Sequence, residues 1–267
     1  MIKSCTLIPT HPPKFNWLNN LLRSYMQFVK KPHDFYVVFS NELDAAEFKK
    51  MCSYPYYELI MPESLRDKKS IVNVKKYFGL NSIASKYEYI GVFDSECEFV
   101  KHCDLDIIYE DIASYDYFKA NKASIGGDII KKIANMLNLT DNEKLIEQTK
   151  NYSLYWWFNE IPVYKSNYYL EFAKWFYSLP NLDELESEYY SFDFLVYSVW
   201  LICFKDFKLK EYDVPVEYDC GAVEEFRVLS VVKDIVSETF NSYWDANFAN
   251  HQNFEKIKIL LHIDNRR

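Results

Sequence analysis

Glycine is scarce in this chain. Of 267 residues only Gly79, Gly91, Gly126, Gly127 and Gly221 are glycine, and none precedes Gly79. An N-terminal G-x-G-x-x-G dinucleotide fingerprint and a P-loop are therefore excluded, because both need glycine where backbone amides close on a phosphate. The same lack counts against nucleotidyltransferases that use a glycine-rich loop after their first strand. Long basic tracts are missing too. The formal net charge is −8, and the lysines and arginines gather only in pairs such as Lys30-Lys31, Lys68-Lys69 and Arg266-Arg267. Nucleic acid needs a concentrated positive face, so it is not an expected partner. No C-x-x-C pair occurs among the six cysteines, and Cys97 and Cys103 lack the spacing and histidine partners of a zinc site. Reduced thiols in a cytoplasmic protein are the expectation. The segment Met1–Pro9 is too poor in apolar residues for a signal peptide. No apolar run reaches the length of a spanning helix; the longest, near Phe194–Phe204, is interrupted by Tyr197 and Ser198.

What is present is a core. Apolar residues make up 49% of the chain, enough for one large α/β unit. No repeat, low-complexity stretch or Gly/Ser linker divides it, so residues 1–267 are read as a single domain. Short β-prone runs alternate with helical periodicity: strands at Cys5–Pro9, Phe35–Phe39, Tyr57–Met61 and Tyr89–Phe93, helices at Phe15–Val29, Leu43–Met51 and Ser70–Ser85. That alternation predicts an α/β fold with a mostly parallel central sheet flanked by helices. Further helices are expected at Ile125–Met136, Asn142–Gln148, Ser166–Tyr177 and Phe192–Phe204, a short strand at Val214–Val216, and mixed helix and loop over Val232–Leu261. The texture changes near residue 105, separating a nucleotide-binding half (about 1–105) from a helix-rich, acceptor-shaping half (about 106–267).

The most informative stretch is Tyr89-Ile90-Gly91-Val92-Phe93-Asp94-Ser95-Glu96. An apolar strand stops at two carboxylates spaced i and i+2, which in an extended chain face one side. Open α/β sheets bind ligands at their carboxyl edge. Oxygen ligands there suit Mn²⁺ or Mg²⁺ holding a diphosphate. An acidic surface turn after a buried strand is the competing reading. A second D-x-D string, Asp104-Leu105-Asp106, follows polar Lys101-His102-Cys103 and reads as a turn or helix start.

Three stretches resemble glycosyltransferases of the GT-A fold: Leu7-Ile8-Pro9-Thr10; Val37 to Glu42; and Lys75-Lys76-Tyr77-Phe78-Gly79-Leu80 followed by Tyr89 to Glu96. The resemblance covers about residues 5–105, and Asp94-Ser95-Glu96 stands as its DxD-like element. It implies a GT-A-like, Rossmann-type sheet and transfer of a sugar from a nucleotide-diphosphate donor, UDP-sugars being the commonest. The acceptor would be a hydroxyl of a glycan or glycolipid. It further implies donor contacts at Pro9, Thr10, Asn41, Glu42, Lys75, Lys76, Asp94 and Ser95. The metal ligands would be Asp94, Glu96 and a C-terminal histidine, His262 before His251, because an apolar run fixes His262. For both lysines a solvated helix face is the alternative, and for His262 an ordinary, partly buried histidine.

An inverting transfer needs a carboxylate to take the acceptor's proton. Glu188 and Asp193, in Glu188-Tyr189-Tyr190-Ser191-Phe192-Asp193-Phe194, are the candidates. A helix start at Ser191 would equally account for Asp193, and a retaining mechanism needs no such base. Trp157, Asn159 and Glu160 are candidate acceptor contacts at the polar end of an aromatic run that otherwise reads as core. Peripheral contact with the inner face of a membrane stays open, although no basic belt accompanies the aromatics. Two competitors remain: a metal-dependent phospho- or nucleotidyltransferase, disfavoured by the missing glycine loop, and a catalytically silent glycosyltransferase-like protein that binds nucleotide or scaffolds other enzymes.

Overall fold

The structure, a computed structural model, describes residues 2–99, 102–122, 127–153, 162–187, 193–211 and 260–262. Strand and helix alternate at the start: β1 (Ile2–Pro9), α1 (Phe15–Phe28), β2 (Asp34–Phe39), α2 (Glu42–Met51), β3 (Tyr57–Ile60), α3 (Ile71–Ile83) and β4 (Tyr87–Val92). Then come β5 (Cys97–Phe99), α4 (Leu105–Ser114), β6 (Tyr117–Lys122), α5 (Gly127–Met136), α6 (Glu143–Thr149), β7 (Tyr152–Ser153) and β8 (Val163–Lys165). The last described elements are α7 (Ser166–Phe176), α8 (Leu182–Ser187), α9 (Asp193–Lys205), β9 (Lys208–Glu211) and β10 (Leu260–His262). The strand expected at Val214–Val216 lies outside the described residues, as does most of 232–261.

The central sheet has the order β3-β2-β1-β4-β8. The first four strands run parallel, with Leu7 opposite Tyr36 on one side and Val92 on the other. β8 closes the sheet antiparallel to β4, Val163 facing Gly91. This is the mostly parallel sheet with flanking helices that the strand–helix alternation predicts. A smaller sheet, β7-β6-β9, and a two-stranded ribbon of β5 and β10 stand beside it.

Period-two alternation sends successive side chains to opposite faces. Leu7, Val38, Ile90 and Val92 join one core with Tyr77 of α3, Tyr169 and Phe172 of α7 and Val196 of α9. Ile8, Val37, Phe39 and Tyr89 join the other, under α1, α2 and α4. On α1 the apolar stripe Leu18, Leu21, Leu22, Tyr25 and Phe28 is buried, as its helical spacing demands. Two glycines let helices close on the sheet. A Cβ on Gly79 of α3 would stand 2.6 Å from a methyl carbon of Leu7, and one on Gly91 of β4 would stand 2.3 Å from the Tyr109 ring. Tyr109, on α4, is fully buried and hydrogen-bonds Thr6 Oγ1 at 2.7 Å.

The parallel strands all present their carboxyl ends to one edge. The chain leaves β1 at Thr10, whose N–H still donates to the Val38 carbonyl at 3.2 Å, and leaves β4 at Phe93, whose N–H donates to the Leu7 carbonyl at 3.0 Å. The two exits therefore lie side by side, and they frame the candidate site.

Candidate active site at the carboxyl edge of the sheet

Six of the expected donor residues, Pro9, Thr10, Lys75, Lys76, Asp94 and Ser95, meet at this edge. Ser95 Oγ donates to the Pro9 carbonyl at 3.2 Å, tying the exit of β4 to that of β1. Lys75 Nζ donates to the Thr10 carbonyl. Lys75 and Lys76 are 1% and 4% exposed, so the reading of these lysines as a solvated helix face does not hold. α3 is buried on both sides of its N-terminal half because it packs between the sheet and α8–α9.

Lys76 is the centre of the arrangement. Its Nζ lies 3.3 Å from Asp94 Oδ1 and 3.3 Å from Asp193 Oδ1. Asp193 opens α9 and is fully buried. Its other carboxylate oxygen accepts a hydrogen bond from the Tyr164 hydroxyl of β8. Burial pulls the Lys76 ammonium toward neutrality, but Asp193 and Asp94 outweigh it and hold its pKa above the ordinary lysine value. Burial, then the Asp193 carboxylate, pushes the Tyr164 phenol well above its usual range. One lysine thus clasps the end of β4 to the start of α9, with β8 holding the far carboxylate.

Glu96 is placed differently from the expectation. The chain does not stay extended after Phe93: Ser95 and Glu96 form a turn, closed by Cys97 N–H donating to the Asp94 carbonyl at 3.2 Å. Asp94 and Glu96 consequently serve separate partners. Glu96 Oε1 is 2.7 Å from Lys14 Nζ, with side chains only 19% and 22% exposed. Lys14 ends the short 3₁₀ turn Pro12–Lys14 that follows β1. Beside it, burial and then the Lys75 charge lower the His11 pKa, with Glu96 acting against them. Lys14, His11 and Tyr164 were not among the residues the sequence singles out. The Pro12-Pro13 pair directly after β1 is the signal for Lys14, since it forces a tight turn at the strand exit.

The donor chemistry of Asp94 and Glu96, hard carboxylate oxygen, is that of a Mg²⁺ or Mn²⁺ site. Yet each carboxylate carries a lysine ammonium as its counter-ion, and the described residues contain no group of three or more His, Cys, Asp or Glu able to hold a metal. Among the described residues the arrangement is one of ion pairs. His262 lies in β10, directly opposite Cys97 in the β5 ribbon, which brings its backbone next to the Glu96 turn.

The remaining candidates are dispersed. Asn41 caps α2, its Oδ1 accepting from Asp44 N–H at 2.9 Å. Glu42, in the first turn of α2, is largely exposed and stands 3.9 Å from Arg66. Glu188, Trp157, Asn159, Glu160 and His251 lie outside the described residues. Asp104 occupies the N-cap position of α4 and pairs with Lys31 at 2.5 Å, so the second D-x-D string is a helix start. Cys5, Cys52, Cys103 and Cys203 are free thiols. Among the described residues no helix is long and apolar enough to cross a membrane.

No protein-family model matches this chain, and no curated protein matches it. Among solved structures it overlaps core-mannan synthase A from Aspergillus fumigatus in its Mn/GDP form (11% identity, 79% of this chain, 73% of that one, TM-score 0.43). Mouse xyloside xylosyltransferase 1 in its apo form overlaps at 10% identity, 92% and 94% coverage and TM-score 0.42. S. aureus TarS 1-349 in complex with UDP overlaps at 12% identity, 96% and 75% coverage and TM-score 0.38. Overlaps this loose transfer no function from one chain to another; the residues of this chain have to carry it.

Proposed function

We propose that this chain is a glycosyltransferase of GT-A type that uses a nucleotide-diphosphate sugar, with UDP-sugars first in line, and passes the sugar to a hydroxyl of a glycan or glycolipid. The observation that carries the reading is the Lys76 clasp. A buried lysine joins Asp94, the first acid of the DxD-like element, to Asp193 across the carboxyl edge of the sheet. That edge is where open α/β sheets take nucleotides.

In the transfer, the acceptor oxygen forms a bond to the anomeric carbon while the bond from that carbon to the diphosphate oxygen breaks, and the hydroxyl's proton leaves to the departing diphosphate. Negative charge grows on the departing diphosphate. Fixed positive groups aimed at that charge in a water-poor site lower the barrier. Lys75 supplies such charge from the chain itself, while Lys76 and Lys14, each paired with acids, hold the edge in shape around it. Pro9 and Thr10 line the strand exit against which the nucleoside would lie, and Ser95 keeps the two exits together. Mn²⁺ or Mg²⁺ at Asp94 and Glu96 has no step in this account, because both carboxylates are engaged by lysines. Asp193 is better suited to hold Lys76 than to take a proton from an acceptor, since it is buried, its Oδ2 accepts from the Tyr164 hydroxyl and its Oδ1 faces the Lys76 ammonium as an ion pair without a hydrogen bond.

That last point also favours a second reading, a silent nucleotide-binding protein. Asp94, Glu96 and Asp193 are each committed to an ion pair, which leaves none of the three free as a base. Incubation with a panel of UDP- and GDP-sugars, with release of nucleoside diphosphate as the readout, separates the two. Release that is lost in Lys76→Met supports the enzyme. Binding of nucleotide without release on any donor or acceptor supports the silent form.

A further inference from the structure

Among the described residues Lys75 is a buried cation without a counter-ion. Its residue is 1% exposed, and its ammonium makes one hydrogen bond, to the neutral carbonyl of Thr10. An ammonium has three donors, so two remain. Among the described residues no carboxylate stands within ion-pair distance of it. Three acids of the edge are engaged elsewhere: Asp94 and Asp193 by Lys76, Glu96 by Lys14. Asp44, in the first turn of α2, acts on Lys75 from a distance. The two nearby cations, Lys14 and Lys76, are neutralised by those same acids, and His11 is biased toward its neutral form. The Thr10 hydroxyl, whose own carbonyl holds Lys75, is buried with no hydrogen-bond partner. Two unsatisfied polar groups therefore sit together at the exit of β1. Buried polar groups are normally paired, and a buried charge without a partner is costly.

We infer that Lys75 and Thr10 form a receiving site for a phosphate group of the ligand, separate from the Asp94–Lys76–Asp193 clasp. The nature of that ligand, a nucleoside diphosphate, rests on the function proposed above; the anion site itself does not. Burial lowers the Lys75 pKa to about 8, so the free protein carries this ammonium only part of the time in mildly alkaline solution. A phosphate against it would restore full charge, and binding would draw a proton from solution. The second ionisation of a terminal phosphate ester lies at about 6, so above pH 8 UDP and GDP contribute little to that proton balance.

Calorimetric titration at pH 8 in two buffers of different ionisation enthalpy tests this, with UDP, GDP and inorganic pyrophosphate as probes. Wild-type protein should take up about half a proton on binding, since a group is half-charged at its pKa. Affinity should fall toward tenfold per pH unit above that point. Lys75→Met should abolish the uptake and weaken binding by at least tenfold. Thr10→Val should weaken binding several-fold and keep the uptake, which holds the test open if Lys75→Met does not fold. Pyrophosphate bound by wild type and weakened in Lys75→Met, with nucleotides bound no tighter than pyrophosphate, would leave the anion site standing and remove the nucleotide reading. Nucleotides bound with no proton uptake, or with uptake unchanged in Lys75→Met, would remove the anion site and leave the nucleotide reading. Failure of folded wild-type protein to bind any of the three probes overturns both.

Discussion

Lys76 of α3 and Asp193 of α9 form a buried ion pair, Nζ to Oδ1 3.3 Å, that fastens the start of α9 to the carboxyl edge of the central sheet. The pair is fully desolvated and also reaches Asp94 and Tyr164. Breaking such a pair by removing one partner strands the other charge in the interior.

Asp193→Ala should therefore cost about 3 kcal/mol of folding stability, the low end of the range for a broken buried pair, because Lys76 keeps Asp94. Urea denaturation at neutral pH measures it. Asp193→Asn, which keeps the shape and an acceptor for Tyr164, should cost less than Asp193→Ala. If both variants unfold at the wild-type midpoint, the clasp contributes nothing to the fold.

Lys75→Met should change stability in a pH-dependent way. The folded-state pKa of Lys75 is lowered to about 8 from 10.5, so between these values the unfolded chain binds more protons than the folded one. Lys75 then destabilises the wild type fully below pH 8, and the penalty fades as pH rises toward 10.5. The variant should be more stable than wild type at pH 7, and its advantage should shrink steadily toward pH 10.5. Comparing the two chains cancels the buried cysteines and tyrosines that titrate in the same window. An advantage independent of pH would show that Lys75 is not an uncompensated cation.

A divalent ion at Glu96 has to displace Lys14. Lys14→Gln should accordingly strengthen Mn²⁺ binding by roughly fivefold, corresponding to a lost competing pair worth about 1 kcal/mol. Calorimetry on the folded variant gives the number. Unchanged affinity in Lys14→Gln would mean that Glu96 does not contribute to any Mn²⁺ site the protein has.

Gly91→Ala should lower stability by about 1–3 kcal/mol, because its Cβ would enter the ring of Tyr109, which is buried and held by Thr6. Thermal denaturation of Gly91→Ala, alone and with Tyr109→Ala, tests the assignment. The second substitution should remove the clash, so that the two changes together cost less than their sum.

The strands of the central sheet were legible because β1, β2 and β4 are short apolar runs stopped by proline or acids, and because helical periodicity fills the gaps between them. The stripe from Leu18 to Phe28 left no choice for α1. The site was legible only in part. Pro9, Thr10, Lys75, Lys76, Asp94 and Ser95 come together because strand order and chain direction bring those exits to one edge. The turn at Ser95–Glu96 was not readable, since an i, i+2 pair of acids looks the same in a strand and in a turn. Nor could spacing reveal that Asp193 answers Lys76: the contact joins segments far apart in sequence, and a helix start explains an aspartate equally well. Lys14 escaped notice because its partner, Glu96, was already assigned to a metal.

Release of nucleoside diphosphate from UDP- and GDP-sugars tests the central claim most directly. Folded wild-type protein should release it from at least one donor, and Lys76→Met, verified as folded by circular dichroism, should lose that release by at least a hundredfold. Release that persists in Lys76→Met, or a wild-type protein that neither binds nor cleaves any nucleotide sugar, would contradict the account.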